Sequence, residues 1–171
     1  MLSEKTKTHI LDLQAAYPEK RSALIPALHL AQAEVGYLPI DVQREVADLF
    51  DIDLSEVHAV VTFYDMFFEE PVGRCLLHIC KNVSCMLRGG DALLESVCRK
   101  LQVRPGETTA DGDFTVVPSE CLAACDRAPV VIIGEKVEGP IQEGDLDRLL
   151  AEARQRLASH TLVEPTEEGH V

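Results

Sequence analysis

Four cysteines in two short pairs could bind a metal ion or an iron–sulfur cluster. Four residues separate Cys80 from Cys85, 35 residues follow, and three residues then separate Cys121 from Cys125. Thiolate sulfur is a soft ligand, and a shell of four thiolates selects zinc, copper(I) or an iron–sulfur cluster. Each pair lies where a strand-like run meets a loop, so we expect folding to bring the four sulfurs to one point.

The spacing within the pairs favours iron and sulfide over zinc. Structural zinc sites usually have two residues between paired cysteines, whereas the gaps here are four and three. A two-iron cluster spans more space than one zinc ion, and each iron takes two thiolates, so wider loops suit it. The sequence therefore favours a [2Fe-2S] cluster, with a zinc site or inert or disulfide-bonded cysteines as the alternatives.

The other two cysteines and the nearest histidine are expected to be structural. Cys75 lies on a strand-like run and Cys98 on an apolar helical stripe, so both resemble small buried hydrophobic side chains. A Rieske centre needs two histidine ligands, but with four thiolates available His78 is not required. The chain contains no C-x-x-C pair of the kind that a thioredoxin-type redox enzyme uses.

Composition and charge exclude some classes of partner. The chain has 171 residues and a formal net charge of -13, which argues against nucleic-acid binding because that requires clustered Lys and Arg. Residues 1–73 carry 13 acidic and 5 basic side chains, whereas residues 74–158 carry 13 and 11, so the acidity is mostly N-terminal. An ordinary solvated surface accounts for this surplus.

The apolar pattern predicts no insertion into a membrane. No apolar run approaches the ~18–20 residues that cross a bilayer. The first residues, MLSEKTKTHILDLQ, lack an apolar core and contain early acidic residues, which fits neither a secretory signal nor a transit peptide. We expect a cytoplasmic protein, in a compartment where thiols stay reduced or bind metal.

Hydrophobic periodicity predicts an α+β protein of two domains. Residues 1–72 contain four short amphipathic stretches typical of a small helical bundle, with Gly36 ending the second and Asp41 capping the third. Residues 73–158 read as a strand, a helix, three short strands and a helix, which predicts a three-layer domain with helices packed on a small sheet. A polar tail at residues 159–171 is expected to be frayed.

Several stretches together resemble a known family, the thioredoxin-like [2Fe-2S] ferredoxin component of respiratory complex I, also called its 24 kDa subunit. The resemblance covers about residues 10–155. The stretches that carry it are YPEKRSALIPALHLAQAEVGYLP, VVTFYDMFFEEPVGR, CKNVSCMLRGGDALL, LQVRPGETTADGDFTV and ECLAACDRAPVV.

The resemblance implies a thioredoxin-like α/β ferredoxin fold for residues 73–158 and a specific role for the cysteines. Cys80, Cys85, Cys121 and Cys125 would ligate one [2Fe-2S] cluster per chain. The chain would pair with a flavoprotein subunit that binds FMN and NADH, and with further peripheral-arm subunits of a membrane-associated NADH:quinone oxidoreductase on its cytoplasmic side. The same type of chain serves in NAD-linked hydrogenases and formate dehydrogenases, which are the alternative hosts.

The residues themselves agree with the need for a partner. The chain contains neither G-x-G-x-x-G nor G-x-x-x-x-G-K-[ST], so it shows no nucleotide-binding loop of its own. We therefore expect an electron-transfer subunit of an oxidoreductase, without a complete active site. A zinc-stapled assembly module and a stand-alone ferredoxin are the competing interpretations.

Two further expectations concern one position in the second cysteine pair and one cluster of aromatic residues. Members of the family often have glycine where this chain has Ala123; if that position needs a positive φ, alanine would cost about 1 kcal/mol. An aromatic cluster before the domain junction is expected to be core between the two domains, and an anchor for a partner surface is the alternative. It consists of Phe63, Tyr64, Phe67 and Phe68.

Overall fold

The computed structural model describes residues 1–134 and 136–158 and divides the chain into two compact units after Pro71. The first unit is entirely helical, and the second contains a sheet with helices, so the α+β prediction is confirmed. The predicted polar tail at residues 159–171 lies outside the described residues. Within the described part of the chain, no helix is both long and apolar enough to cross a membrane.

Four α-helices make up most of the first unit: α1 (Glu4–Ala16), α2 (Leu24–Val35), α3 (Ile40–Phe50) and α4 (Leu54–Phe63). A 3-10 helix (Lys20–Ala23) precedes α2, and Gly36 ends α2 with a φ of 92°. The prediction that Asp41 caps the third helix is wrong. That helix begins one residue earlier, after Pro39, and Asp41 lies in its first turn, where a carboxylate favours the positive end of the helix dipole.

The aromatic cluster near Pro71 is divided between core and surface. Phe67 is buried in the core of the helical unit, and its ring lies 4.9 Å from that of His29. Phe63, on the last turn of α4, is 78% exposed, so the expectation that the whole cluster is core is wrong for this residue. Helical periodicity explains the difference. Val57 and Val61 are four residues apart and lie on the buried face of α4, whereas Phe63 is two residues beyond Val61 and lies away from that face.

The second unit is built on a four-stranded sheet with the order β2-β1-β3-β4. The strands are β1 (Cys75–Cys80), β2 (Phe114–Ser119), β3 (Val131–Ile133) and β4 (Lys136–Glu138). β1 and β2 are parallel, whereas β3 runs antiparallel to both β1 and β4. The α-helices are α5 (Val83–Leu87), α6 (Gly90–Leu101) and α7 (Leu146–Ala158), with 3-10 helices at Cys125–Arg127 and Glu143–Asp145.

Helices α6 and α7 pack on one face of this sheet. Leu77 and Ile79 of β1 point into a core that Val97 of α6 and Leu149 of α7 also enter. On the opposite face of β1, Leu76 and His78 are half-buried and Cys80 is buried. The predicted three-layer arrangement is therefore wrong for this unit, because its long helices share one face and form two layers. The sequence of β1 could not distinguish two layers from three, because apolar residues occur on both faces of this strand.

Gly73 leaves no room for a side chain where the chain enters β1. A Cβ atom at Gly73 would lie 2.6 Å from the carbonyl carbon of Phe114 and 2.9 Å from its amide nitrogen. The Gly73 N–H also donates a hydrogen bond to Oγ1 of Thr115 at 2.6 Å. This close approach sets the position from which β1 runs towards Cys80.

We expect Gly73→Ala to lower the free energy of unfolding by about 1–3 kcal/mol, because backbone atoms of β2 would have to move. Urea denaturation measures the change. Gly144→Ala is the matched control, since a Cβ atom there meets nothing within 4 Å. That control should be neutral or slightly stabilising, by up to about 1 kcal/mol. Equal losses in both variants would contradict the packing argument.

Ala123, in the loop after β2, adopts a left-handed conformation with a φ of 54°. The conditional expectation about this position is therefore met: it requires a positive φ, and here alanine supplies it. A left-handed residue that is not glycine costs about 1 kcal/mol, so the loop stores a small strain.

We expect Ala123→Gly to stabilise the protein by up to about 1 kcal/mol, with the gain reduced by the greater freedom of glycine in the unfolded chain. The matched control is Ala151→Gly, at an exposed position inside α7, where the same change should cost about 1 kcal/mol. Thermal and urea denaturation give both values. A loss of stability at residue 123 as large as that at residue 151 would refute the strain assignment.

Candidate metal centre

The first cysteine pair lies at the junction of β1 and α5. Cys80 ends β1, and Asn82 caps α5 by accepting a hydrogen bond from the Val83 N–H at 2.8 Å. Cys85 then faces inward from α5, so that Cys80 is 3% exposed and Cys85 1% exposed. The structure thus brings these two predicted ligands together beneath the surface.

Gly90, at the start of α6, holds this junction together. A Cβ atom at Gly90 would lie 2.9 Å from the carbonyl oxygens of both Cys80 and Cys85. Only glycine lets the first turn of α6 approach the two cysteine carbonyls so closely. Neither Asn82 nor Gly90 was predicted as a positioning residue. Two sequence features could have identified them: an asparagine ahead of a short apolar run, and the adjacent glycines 89 and 90.

The two buried thiols differ in acidity. Burial by itself opposes ionisation of Cys80, but hydrogen bonds from the backbone N–H groups of Asn82 and Leu122 and from the Cys85 thiol outweigh it and lower the pKa of Cys80. Burial raises the pKa of Cys85, and its hydrogen bond to Cys80 raises it further, against a lowering contribution from the Val130 N–H. Of the two thiols, Cys80 therefore ionises more readily, and its sulfur accepts a hydrogen bond from the Cys85 thiol.

The second cysteine pair lies at the surface, on the loop that follows β2. Cys121 and Cys125 are both exposed, and Cys125 begins the short 3-10 helix Cys125–Arg127. Ala124 between them is buried and packs in one cluster with Cys80 and Cys85, and Leu122 packs against that cluster. The charge of Cys125 contributes to the raised pKa of Cys85. The second loop thus contacts the first pair through Leu122 and Ala124.

The four sulfurs are not gathered at a single point. Among residues 1–134 and 136–158, His, Cys, Asp and Glu side chains form no group of three or more that could hold a metal ion. The donor chemistry nevertheless fits a thiolate-ligated cluster, since two buried sulfurs receive backbone N–H donors and two exposed cysteines lie on the adjoining loop.

Charged side chains around the site are mostly paired with each other. Lys81, next to Cys80, forms an ion pair with Glu120, next to Cys121, at 2.8 Å. Arg127 approaches Asp126 at 3.8 Å. The Lys81–Glu120 pair joins the two cysteine-bearing segments, and the Lys81 N–H also donates to the Ser119 carbonyl oxygen at 2.9 Å. Exposed pairs of this kind contribute little stability, so the backbone bond is the firmer link.

Cys75, Cys98 and His78 were expected to have structural roles, and their positions in the structure agree with this expectation. Cys75 and Cys98 are buried in the core between the sheet and the helices, and burial raises the pKa of both thiols. His78, on the other face of β1, lies 3.1 Å through Nδ1 from the Ser119 hydroxyl oxygen.

The comparisons with known proteins agree on one family. A model described as thioredoxin-like [2Fe-2S] ferredoxin matches residues 10–154. An NADH-quinone oxidoreductase subunit of Rhizobium meliloti (strain 1021) is 46% identical over 140 residues, which cover 82% of this chain and 83% of that protein. The NADP-reducing hydrogenase subunit HndA of Solidesulfovibrio fructosivorans is 34% identical over 152 residues, 89% of each chain.

A solved structure resembles the fold over most of the chain. NAD+-reducing [NiFe]-hydrogenase in the H2-reduced state matches with a TM-score of 0.66 and 26% identity over 78% of this chain. The match spans only 22% of that hydrogenase chain, so this protein corresponds to about a fifth of its length. The family model covers most of the sequence, and both relatives match over at least 82% of it. The chain belongs to the thioredoxin-like [2Fe-2S] ferredoxin family.

Proposed function

We propose that this chain is the electron-transfer subunit of an NADH:quinone oxidoreductase and holds one [2Fe-2S] cluster on Cys80, Cys85, Cys121 and Cys125. The observation that carries the proposal is the buried Cys80–Cys85 pair, whose sulfurs receive backbone N–H donors and against which the loop of the second pair packs. When bound, such a cluster supplies one-electron redox chemistry.

The chain's own residues would set the properties of the bound group. The N–H groups of Asn82, Leu122 and Val130 point at the two buried sulfurs and stabilise negative charge there. The apolar side chains of Ala124 and Ala128 pack around the same sulfurs and exclude water from them. These effects oppose each other, because N–H donors favour added negative charge whereas a dry apolar shell disfavours it.

A separate flavoprotein would supply the electrons. Neither nucleotide-binding loop motif occurs in this sequence, so NADH and FMN are assigned to a partner flavoprotein that exchanges electrons with this chain. The name of the Rhizobium meliloti relative supports a quinone-reducing host. In this proposal the chain contributes no catalytic residue, and its complex is associated with a membrane on the cytoplasmic side.

A second host is favoured by specific comparisons. The HndA relative is named as part of an NADP-reducing hydrogenase, and the matched structure is an NAD+-reducing hydrogenase. The chain would then serve the pyridine-nucleotide-linked part of a hydrogenase, with the same cluster and a flavoprotein neighbour. A formate dehydrogenase with the same module is the further alternative.

Substitution of each cysteine tests the ligand set. We expect alanine at residue 80, 85, 121 or 125 to abolish or destabilise the cluster, because one of the two irons would lose one of its two thiolates. Purified anaerobically, the native chain should contain about two irons and two acid-labile sulfides and give a paramagnetic resonance signal only after reduction. A normal cluster in Cys121→Ala would overturn the assignment.

The matched controls for that series are Cys75→Ala and Cys98→Ala. Both residues are buried in the core of the same unit. We expect each variant to keep the visible and paramagnetic resonance spectra and to lose about 1 kcal/mol of stability through poorer packing. Native protein that contains zinc and no sulfide after iron-replete anaerobic expression would refute the cluster and support a zinc-stapled module.

Purification of the intact complex from the native cell tests the partner. We expect a chain with bound FMN to co-purify in fixed stoichiometry, and NADH to reduce the cluster in this complex but not in the isolated chain. Quinone reductase activity in the complex would support the first host, and nickel with hydrogen-dependent reduction the second. A monomeric chain beside its flavoprotein would refute both and favour a free ferredoxin.

A further inference from the structure

Residues 125–130 lead from the exposed cysteine pair to the buried one, and we call them the linking segment. The segment begins with the 3-10 helix Cys125–Arg127. It then enters the cluster of Cys80 and Cys85, in which Val130 is 1% exposed. The carbonyl oxygen of Val130 accepts a hydrogen bond from the Cys80 N–H at 3.1 Å. The position of this segment therefore relates the two cysteine pairs to each other.

Gly139, directly after β4, lies against the backbone of the linking segment. A Cβ atom at Gly139 would lie 2.4 Å from the carbonyl oxygen of Arg127 and 3.2 Å from that of Pro129. The first distance is far shorter than a van der Waals contact, so a side chain fits here only if backbone atoms move. The turn after β4 therefore contacts the linking segment between its exposed and its buried end.

The turn after β4 is itself held in place from the other side. Ile141 is 4% exposed and packs in the core between the sheet and helices α6 and α7. Its N–H donates a hydrogen bond to the carbonyl oxygen of Pro129 at 3.0 Å. Withdrawing Ile141 would expose apolar surface and break this hydrogen bond, so the turn is the fixed side of the contact.

The exposed end of the linking segment is the side that would move. All three residues of the 3-10 helix Cys125–Arg127 are exposed. The Arg127 N–H donates to the carbonyl oxygen of Ala124 at 3.0 Å, which is a bond within the loop of the second cysteine pair and not to the core. A shift of the Arg127 carbonyl group would therefore move Cys125 relative to the buried pair.

We propose that Gly139 is a positioning residue for Cys125. The missing side chain at Gly139 lets the turn after β4 contact the linking segment directly, and this contact fixes where Cys125 lies relative to Cys80 and Cys85. The inference rests on the proposed function, and it adds to the metal centre a residue that lies in neither cysteine loop.

The variant Gly139→Ala, made in the full chain and purified anaerobically, tests this role. We expect the visible spectrum and the paramagnetic resonance line shape of the reduced protein to differ from those of the native chain, because one thiolate would be displaced. Iron should also be lost to a chelator about tenfold faster or more, the size of effect that residues supporting metal ligands have. Native spectra in the folded variant would overturn the proposal, whatever the rate of iron loss.

Two other glycine variants separate positioning from a general loss of stability. Gly73→Ala introduces a comparable backbone clash, 2.6 Å from the carbonyl carbon of Phe114, so it should lower the stability and keep the native spectra. Gly144→Ala meets nothing within 4 Å and should keep the native spectra without that loss. If Gly73→Ala alters the spectra as much as Gly139→Ala does, the positioning role is wrong.

A pair of core variants tests the same contact without adding an atom. Ile141→Ala releases the turn from the core, whereas Leu149→Ala removes a side chain of similar size from α7 in the same core. Both variants should lose stability because each leaves a cavity. We expect the paramagnetic resonance line shape to change in Ile141→Ala and to stay native in Leu149→Ala. This pair decides the question if Gly139→Ala does not fold, and the same line shape in both variants would refute the role of the turn.

The outcomes separate this inference from the proposed function. If the native chain contains no iron and sulfide after iron-replete anaerobic expression, the proposed function fails. If the native chain holds the cluster, but Gly139→Ala and Ile141→Ala hold it with native spectra, the positioning role alone is wrong.

Discussion

Hydrogen bonding to the buried sulfur of Cys80 is the constraint on which the arrangement of the cysteine region depends. A thiolate removed from water is costly unless hydrogen bonds replace its solvation. The donors to Cys80 are backbone N–H groups from two separate segments, at Asn82 and Leu122, together with the thiol of Cys85. The turn into α5 and the loop after β2 must therefore both be held in place. The parallel pairing of β1 with β2 aligns Cys80 with Ser119, from which the two segments leave the sheet side by side.

The same constraint explains the strained residue in the second loop. Leu122 directs its N–H at Cys80, and Ala124 packs against Cys80 and Cys85, so the residues on both sides of Ala123 contact the first pair. Ala123 itself has a φ of 54°. A left-handed residue between them reverses the local direction of the chain, which allows an N–H and a side chain two residues apart to face the same sulfur pair. The strain, about 1 kcal/mol, is comparable to the contribution of one hydrogen bond.

The sequence was sufficient for the features that depend on residue type and period. Spacing identified the four cysteines of interest and separated them from Cys75 and Cys98, which are buried in the core as expected. Gly36 predicted the end of the second helix, and the apolar stripes predicted most elements. The short helix α5 was not predicted, because five residues are too few to show a period and Asn82 alone is a weak signal. The one-sided packing of α6 and α7 was also missed, since it depends on strand order rather than on local pattern.

Helix α5 is apolar on its inward and its outward face, whereas an amphipathic helix is normally apolar on one face only. Its inward face buries the thiol of Cys85, which is 1% exposed. An outward face made of Val83, Met86 and Leu87 adds nothing to the stability of this chain, because these side chains remain in water. Polar residues at these positions would satisfy the fold equally well. The burial of Cys85 therefore accounts for the inward face of α5, whereas the stability of this chain does not account for the outward one.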